Sequence, residues 1–80
     1  GWEEPADALV QRQELCDWVR QCIDKLPEKY RIPLLLRDIE ELANDEVASV
    51  LGISINATKI RVHRARQALR AQLEPRMKGL

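Results

Sequence analysis

Aromatic residues and glycine are scarce in this chain of 80 residues, which has two Trp, one Tyr, no Phe and three Gly. With only four Pro besides, the composition excludes collagen-like and low-complexity classes, and 45% hydrophobic with 32% charged residues is typical of a folded domain. The chain also lacks any run approaching the roughly 18 to 20 apolar residues that cross a bilayer. Its acidic start, Gly1 to Pro5, differs from the basic start of a signal peptide. We therefore expect one small cytoplasmic domain that makes no membrane contact.

Cysteine and the usual signs of catalysis are equally sparse. Cys16 and Cys22 project about 120° apart on a helix, which disfavours a disulfide between them. The evidence for a metal site is weak, because the chain has a single histidine, His63, and no C-x-x-C motif. Both cysteines are therefore interpreted as small core residues. There is no glycine-rich phosphate loop and no nucleophile motif, and the acidic pair Glu40 and Glu41 is interpreted as solvated charge. We expect a binding module, with no enzymatic activity, no cofactor and no metal.

The formal net charge of zero conceals a division between the two ends of the chain. Residues 1–50 carry twelve acids and six bases, a balance of −6, whereas residues 51–80 carry seven bases and one acid, a balance of +6. This asymmetry predicts a polyanionic partner for the C-terminal end.

Helix breakers divide the chain into four helical segments, here called lengths, and none of them has the pattern of a strand. The first length, about 6–25, has an apolar stripe formed by Leu15, Val19, Cys22, Ile23 and Leu26. The second begins at Pro27 and contains Pro33, where we expect a bend or a local loosening. The pattern predicts an all-α fold of four helices.

The last two lengths have the features of a helix-turn-helix, at about 44–73, without winged elements. The third helix, 45–51, is capped by Asn44 and closed by Gly52. The fourth runs from Ser54, its N-cap, to about residue 73, and Pro75 is expected to end it. A short helix, a turn containing glycine and a longer basic helix favour DNA binding.

The phase of the fourth helix separates a core face from an outward face. At 100° per residue, one stripe is committed to the core and contains Ile55, Thr58, Val62, Ala65, Leu69 and Leu73. The opposite face contains Asn56, Lys59, Ile60, His63, Arg64 and Gln67, with Arg61 and Arg66 at its flanks. Side chains of these types read base edges and contact phosphates. The alternative is an ordinary solvated surface, although Ile60 on a polar face favours a contact, for example with a thymine methyl group.

Four segments resemble region 4 of extracytoplasmic-function (ECF) sigma factors of bacterial RNA polymerase. They are LPEKYR at 26–31, LLLRDI at 34–39, EVASVLGIS at 46–54 and KIRVHRARQALR at 59–70. The resemblance covers roughly residues 20–73. It implies a monomeric domain that reads the minus-35 promoter element through its last helix and docks on the β-subunit flap of RNA polymerase. An anti-sigma factor is the further partner that it implies.

The resemblance also assigns roles to residues, position by position. It matches Lys59, Ile60 and Arg64 to positions that read bases, and it matches Ser54, Asn56, Ala57, Arg61 and His63 to positions near bases or phosphates. Taken with the phase of the helix, it leads us to expect base contacts from Lys59, Ile60, Arg64, Asn56 and His63, and phosphate or flanking contacts from Ser54, Ala57, Arg61, Arg66 and Gln67. The chain departs from the family pattern in having Ala57 for Thr, Thr58 for Val, Ile60 for a small polar residue and Ala43 for a capping Ser or Thr. Of these departures, Ala57 and Ile60 affect the promoter sequence that it would read.

Nothing in the chain corresponds to region 2 of such sigma factors, so we expect a domain of a longer protein. We expect residues 1–5 to be a linker remnant or a tail, 6–74 the helical domain and 75–80 a C-terminal tail. Two other functions stay open. One is the output domain of another helix-turn-helix regulator, which would dimerise, and the other is a protein-interaction bundle bound mainly by an anti-sigma factor.

Overall fold

The computed structural model describes residues 5–78, and within that range the chain is helical throughout, apart from short connections. The elements are α1 (Ala6–Asp24), α2 (Glu28–Leu34), a π-helical turn (Leu35–Ile39), α3 (Asn44–Leu51) and α4 (Ile55–Met77). No strand occurs among these residues, so the prediction of an all-α fold with a C-terminal helix-turn-helix is confirmed. The predicted linker or tail at 1–5 and the tail at 75–80 lie partly outside the described residues. None of the described helices is long and apolar enough to span a membrane.

The core lies where α4 crosses the other elements. Val47 of α3 and Thr58 and Ala65 of α4 have no exposed surface, and Val62 is 3% exposed. Leu26 and Leu34 are buried against Ala65, with Tyr30 and Leu69 packed beside them. Small side chains at the crossing allow the helices to approach closely. The predicted core stripe of α4 is therefore confirmed at its centre, whereas Ile55, in the first position of the helix, is 48% exposed.

The most buried residue of helix α1 lies near its C-terminal end. Cys22 is buried and Leu15, Val19 and Ile23 are half-buried, as the apolar stripe predicts. Cys16 lies at the margin of that stripe and is exposed, so the prediction that both cysteines are core residues is wrong for Cys16. Both thiols are free.

The connection from α1 to α2 is held by an arginine that sequence reasoning missed. The Arg31 guanidinium donates through Nη1 to the carbonyl oxygens of Leu26, at 3.0 Å, and Asp24, at 3.2 Å. The last carbonyls of a helix have no partner within it, so these bonds satisfy groups that the end of α1 leaves free.

The loosening expected near Pro33 occurs immediately after it. Pro33 has no N–H to donate to the Lys29 carbonyl, and the chain widens into the π turn two residues later. In this turn the Glu40 N–H donates to the Leu35 carbonyl five residues back, at 3.0 Å. Ile39 ends the turn 64% exposed.

The start of α3 differs from the prediction. Asn44 is the first residue of the helix, and Ala43 is the N-cap. Ala43 has no side-chain oxygen to cap the helix, but the Glu46 carboxylate accepts from the Ala43 N–H at 3.0 Å, which is one half of a capping box. At the other end Gly52 adopts the left-handed conformation, with φ of 66°, as the turn between the two helices requires.

Helix α4 begins as predicted and ends later. The Ser54 hydroxyl accepts from the Ala57 N–H at 3.0 Å, which confirms Ser54 as the N-cap. The prediction that Pro75 ends the helix is wrong, since α4 continues to Met77. Pro75 removes only the bond to the Ala71 carbonyl, and the Arg76 guanidinium beyond it lies over the Trp18 ring of α1, 4.6 Å from the centroid.

Candidate nucleic-acid interface

The outward face of α4 has the composition and exposure that its phase predicts. All six of its residues are exposed, namely Asn56, Lys59, Ile60, His63, Arg64 and Gln67. We call this set the reading face. It stands opposite Thr58, Val62 and Ala65, which are buried, so the packing of the helix fixes the direction in which it points. The Ile60 side chain is 42% exposed in the middle of this polar surface.

The N-terminal end of α4 lies beside the reading face. Ser54 is exposed, Ala57 is half-buried, and the Ser54 carbonyl accepts from both the N–H and the hydroxyl of Thr58 at 3.0 Å. The bond from the hydroxyl satisfies Thr58, the polar side chain that the sequence places on the core stripe. The N–H groups of Ile55 and Asn56 have no acceptor within the helix, and the helix dipole adds positive potential there.

The two flanking arginines of α4 have different surroundings. Arg61 is half-buried and lies in a groove of about 430 Å³, whose lining also includes the apolar Ile32, Pro33 and Leu51 and the charged Glu28 and Lys29. This groove is on the side of α4 away from His63, because two residues along a helix correspond to a rotation of about 200°.

Arg66 forms an ion pair with Asp38 of the π turn. Its Nε donates to one carboxylate oxygen at 2.9 Å and its Nη2 donates to the other, so the pair is bidentate. Those hydrogen bonds lower the pKa of the Asp38 carboxyl below its ordinary value, and the charges of Arg66 and Arg37 act in the same direction, against the smaller effect of burial. The pKa of Arg66 is raised by the same bonds. Because both side chains are partly exposed, the pair contributes at most about 1 kcal/mol to folding.

A small cationic cleft joins the reading face to the π turn. It has a volume of about 140 Å³ and is lined by Arg37, Asn44, Lys59, Val62, His63 and Arg66. We call it the basic cleft. Its floor is the buried Val62, and its polar lining comes from three different elements. Sequence reasoning did not include Arg37 or Asn44 in the site, since neither lies on α4.

Arg37 is held to the loop that follows the π turn. Its Nη1 donates to the Leu42 carbonyl at 3.3 Å. This loop contains Glu41 in the left-handed conformation, with φ of 60°. A guanidinium has five N–H donors, so this bond leaves Arg37 able to donate to a ligand in the basic cleft. The arrangement suits a phosphate oxygen, which accepts several charge-assisted hydrogen bonds.

The side chains of the described residues do not suggest a metal centre. No three or more His, Cys, Asp or Glu side chains between residues 5 and 78 lie where they could hold a metal ion together.

Comparison with known families agrees with this geometry. The family model described as sigma-70, region 4 matches residues 16–69, a range that runs from the middle of α1 through most of α4. The chain belongs to the sigma-70 region 4 family. The fold and family that the sequence motifs imply are thereby confirmed.

The relatives of this region 4 domain carry the names of sigma factors. It is 45% identical over 69 residues to the ECF RNA polymerase sigma factor SigW of Bacillus subtilis, an alignment that covers 86% of this chain and 36% of that protein. It is 36% identical over 73 residues to the RNA polymerase sigma-H factor of Pseudomonas aeruginosa, covering 91% and 37%. It is 30% identical over 67 residues to the ECF RNA polymerase sigma-E factor of Escherichia coli, covering 84% and 35%. The chain thus spans little more than a third of the length of these relatives.

Proposed function

We propose that this region 4 domain recognises the minus-35 element of bacterial promoters by placing the reading face of α4 in the major groove. The observation that carries the proposal is the division of α4 into a buried stripe and an exposed face of base-reading side chains. In this proposal the domain acts by binding rather than by catalysis.

The residues of the interface have distinct proposed roles. Lys59, Ile60 and Arg64 contact base edges, with Asn56 and His63 beside them. Ser54, Ala57 and Gln67 lie at the flanks, near phosphates. The surplus of positive charge in residues 51–80 supplies affinity that does not depend on sequence and that falls with added salt.

Ile60 gives the domain a means of preferring particular bases. It is exposed among polar residues and carries no hydrogen-bonding group, so its favourable contact in a major groove is with the methyl group of thymine. We expect sites with thymine opposite Ile60 to bind more tightly than sites with cytosine there.

The test is fluorescence anisotropy of the chain on a short duplex with a GGAAC-type minus-35 element and on a scrambled duplex, at several salt concentrations. Lys59→Ala and Arg64→Ala should each cost about 1 to 3 kcal/mol on the preferred duplex and less on the scrambled one. The matched control is Arg20→Ala, because Arg20 is an exposed cation on α1, outside α4, and pairs with Asp17 at 3.8 Å. Equal losses on both duplexes would reduce Lys59 and Arg64 to phosphate contacts, and equal binding of both duplexes by the unaltered chain would contradict promoter recognition.

The groove at Arg61 supports a second contact, with RNA polymerase. We assign to it the docking of the β-subunit flap, because a groove with both apolar and charged lining, on the side of α4 away from His63, stays accessible while DNA is bound. Binding of a flap fragment, measured by calorimetry, should weaken about tenfold in Ile32→Glu, whose half-buried side chain lines the groove, while binding of DNA is unchanged. Unaltered flap binding by a folded Ile32→Glu variant would reject this assignment. An anti-sigma factor that covers either surface would compete with the corresponding partner.

A further inference from the structure

We propose that the Asp38–Arg66 ion pair positions Arg37 for contact with a backbone phosphate in the basic cleft, so that an acidic residue strengthens the binding of DNA. The inference rests on the proposed function, since it concerns the same interface. It gives Arg66 a role in positioning, although the sequence places this residue among the flanking phosphate contacts.

The ion pair joins the π turn to α4 at the protein surface, beside the buried contact of Leu34, the residue before the turn, with Ala65 of α4. Arg66 and Asp38 are 28 residues apart, and their bidentate hydrogen bonds connect the fourth helix to the π turn. The turn ends at Ile39, which is exposed, as are Glu40 and Glu41 after it. A fork of two parallel bonds fixes direction as well as distance, which a single bond or a lysine would not do.

Arg37 precedes Asp38 directly, so an anchor on Asp38 is also an anchor on the backbone of Arg37. The side chain of Arg37 has one other restraint, the 3.3 Å bond to the Leu42 carbonyl. Widened helical turns of this type are frequent at functional sites, where they redirect individual side chains. Here the turn brings Arg37 to the wall of the cleft that faces Lys59 and His63.

The charges around the cleft favour an anion once the pair has formed. Asp38 is matched by Arg66, which leaves the positive charges of Arg37 and Lys59 without an opposing carboxylate in the lining of the cleft. Lys59 also belongs to the reading face. A phosphate bound here would therefore lie next to the bases that α4 contacts, and would fix the register of the helix in the groove.

Positioning and simple electrostatics predict effects of opposite sign. Removing an acid from a DNA-binding surface should tighten binding, and should also release Arg66 to contact phosphates. If Asp38 positions Arg37, its removal should weaken binding and reduce the number of phosphate contacts.

The experiment compares Asp38→Asn with Glu40→Gln in the full chain, by anisotropy on the minus-35 duplex across a range of salt. Both variants gain the same charge. Glu40 is exposed two residues away, and its side chain forms no hydrogen bond or ion pair with residues 5–78. Asp38→Asn should lower affinity about fivefold and make the slope of log affinity against log salt shallower by about one phosphate contact. Glu40→Gln should bind as tightly as the unaltered chain or more tightly, and Asp38→Glu, which can keep the pair, should recover most of the loss.

A double-mutant cycle with Arg37→Ala separates positioning from a general structural effect. If Asp38 acts through Arg37, Asp38→Asn should have no further effect once Arg37 is alanine. Additive losses in the double variant, or an Asp38→Asn variant that binds as tightly as Glu40→Gln, would overturn the inference. Thermal melts test whether each variant is folded at the assay temperature. If Asp38→Asn is unfolded there, Arg66→Gln, which breaks the same ion pair, takes its place in the cycle.

The failure of this inference and the failure of the proposed function give different results. If the unaltered chain shows no preferential, salt-dependent binding of the minus-35 duplex, the proposed function is wrong and the positioning role falls with it. If that binding is present and the Arg37 cycle is additive, only the positioning role is wrong.

Discussion

Ser54 has two roles that substitutions can separate, because it caps α4 and also lies beside the proposed phosphate contacts. Its hydroxyl accepts from the Ala57 N–H at 3.0 Å, and replacing an N-cap serine by alanine typically costs about 1 kcal/mol. For a domain of this size, such a loss lowers the melting temperature by roughly 4 to 8 °C. Ser54→Ala should therefore melt earlier, while its affinity for DNA, measured where it is folded, stays within about twofold of the unaltered chain.

Ser54→Asp should show the reverse pattern. Aspartate caps a helix as well as serine does, and its negative charge at the positive end of the dipole adds about 0.3 to 1 kcal/mol of stability. The same charge would lie next to the DNA backbone, so affinity should fall about tenfold, with a shallower dependence on salt. The matched neutral control is Ser54→Asn, which caps equally well and carries no charge. If Ser54→Asp binds DNA as tightly as Ser54→Asn, Ser54 lies away from the phosphates, and if Ser54→Ala melts normally, the cap contributes nothing.

Three further predictions concern folding. Thr58→Val removes the hydrogen bond from the hydroxyl to the Ser54 carbonyl, while the backbone bond to the same carbonyl stays. The free energy of unfolding, measured by urea titration, should therefore change by less than about 1 kcal/mol. A larger loss would show that the hydroxyl has another partner. Glu41→Gly relieves a left-handed residue and should raise stability by about 0.5 to 1 kcal/mol in thermal melts, where a decrease would contradict the strain at this position. The pKa of Asp38 is lower in the folded chain than its ordinary value of 3.8, so the unfolded chain binds more protons in that range and the pair stabilises the fold above about pH 4. The difference in stability between the unaltered chain and Asp38→Asn should thus disappear as the pH falls below the folded pKa of Asp38, and a difference that persists in acid would mean that the pair does not contribute through charge.

The parts of the fold that depend on local sequence could be predicted. Apolar periodicity and the Ser54 cap identify four helices, and the phase of α4 separates the buried Thr58 from the exposed Lys59. The errors in helix bounds reflect the several weak effects that compete at helix ends. Asn44 is a good capping residue, yet the bond from the Ala43 N–H to Glu46 allows the helix to begin one residue earlier. Pro75 costs a single hydrogen bond near the end of a helix, which is too little to end it there.

The exposed face of α4 could be predicted because it lies on one helix, whereas the lining of the basic cleft was missed because it depends on tertiary structure. The exposed positions of α4 follow from its period of 3.6 residues, so the exposure of Arg64 and its neighbours could be predicted from the sequence alone. Arg37 lines the basic cleft because a π turn brings it close to α4, and nothing in a hydrophobic pattern indicates such a turn. The pairing of Arg66 with Asp38 is also a contact between distant parts of the chain, and local sequence patterns do not indicate which acid an arginine will meet.

The separation of the two faces of α4 also bears on how promoter preference evolves. Side chains of the reading face lie on the surface, and substitutions at such positions usually change stability by no more than about 0.5 kcal/mol. Buried residues next to this face, such as Val62 beside His63, stabilise the fold, so substitutions there lower stability more. If the reading face contacts bases as proposed, mutation can explore new base contacts at Ile60 or Arg64 without passing through unfolded intermediates. Copies of a domain that works in this way can diverge towards different promoters on a scaffold that stays the same.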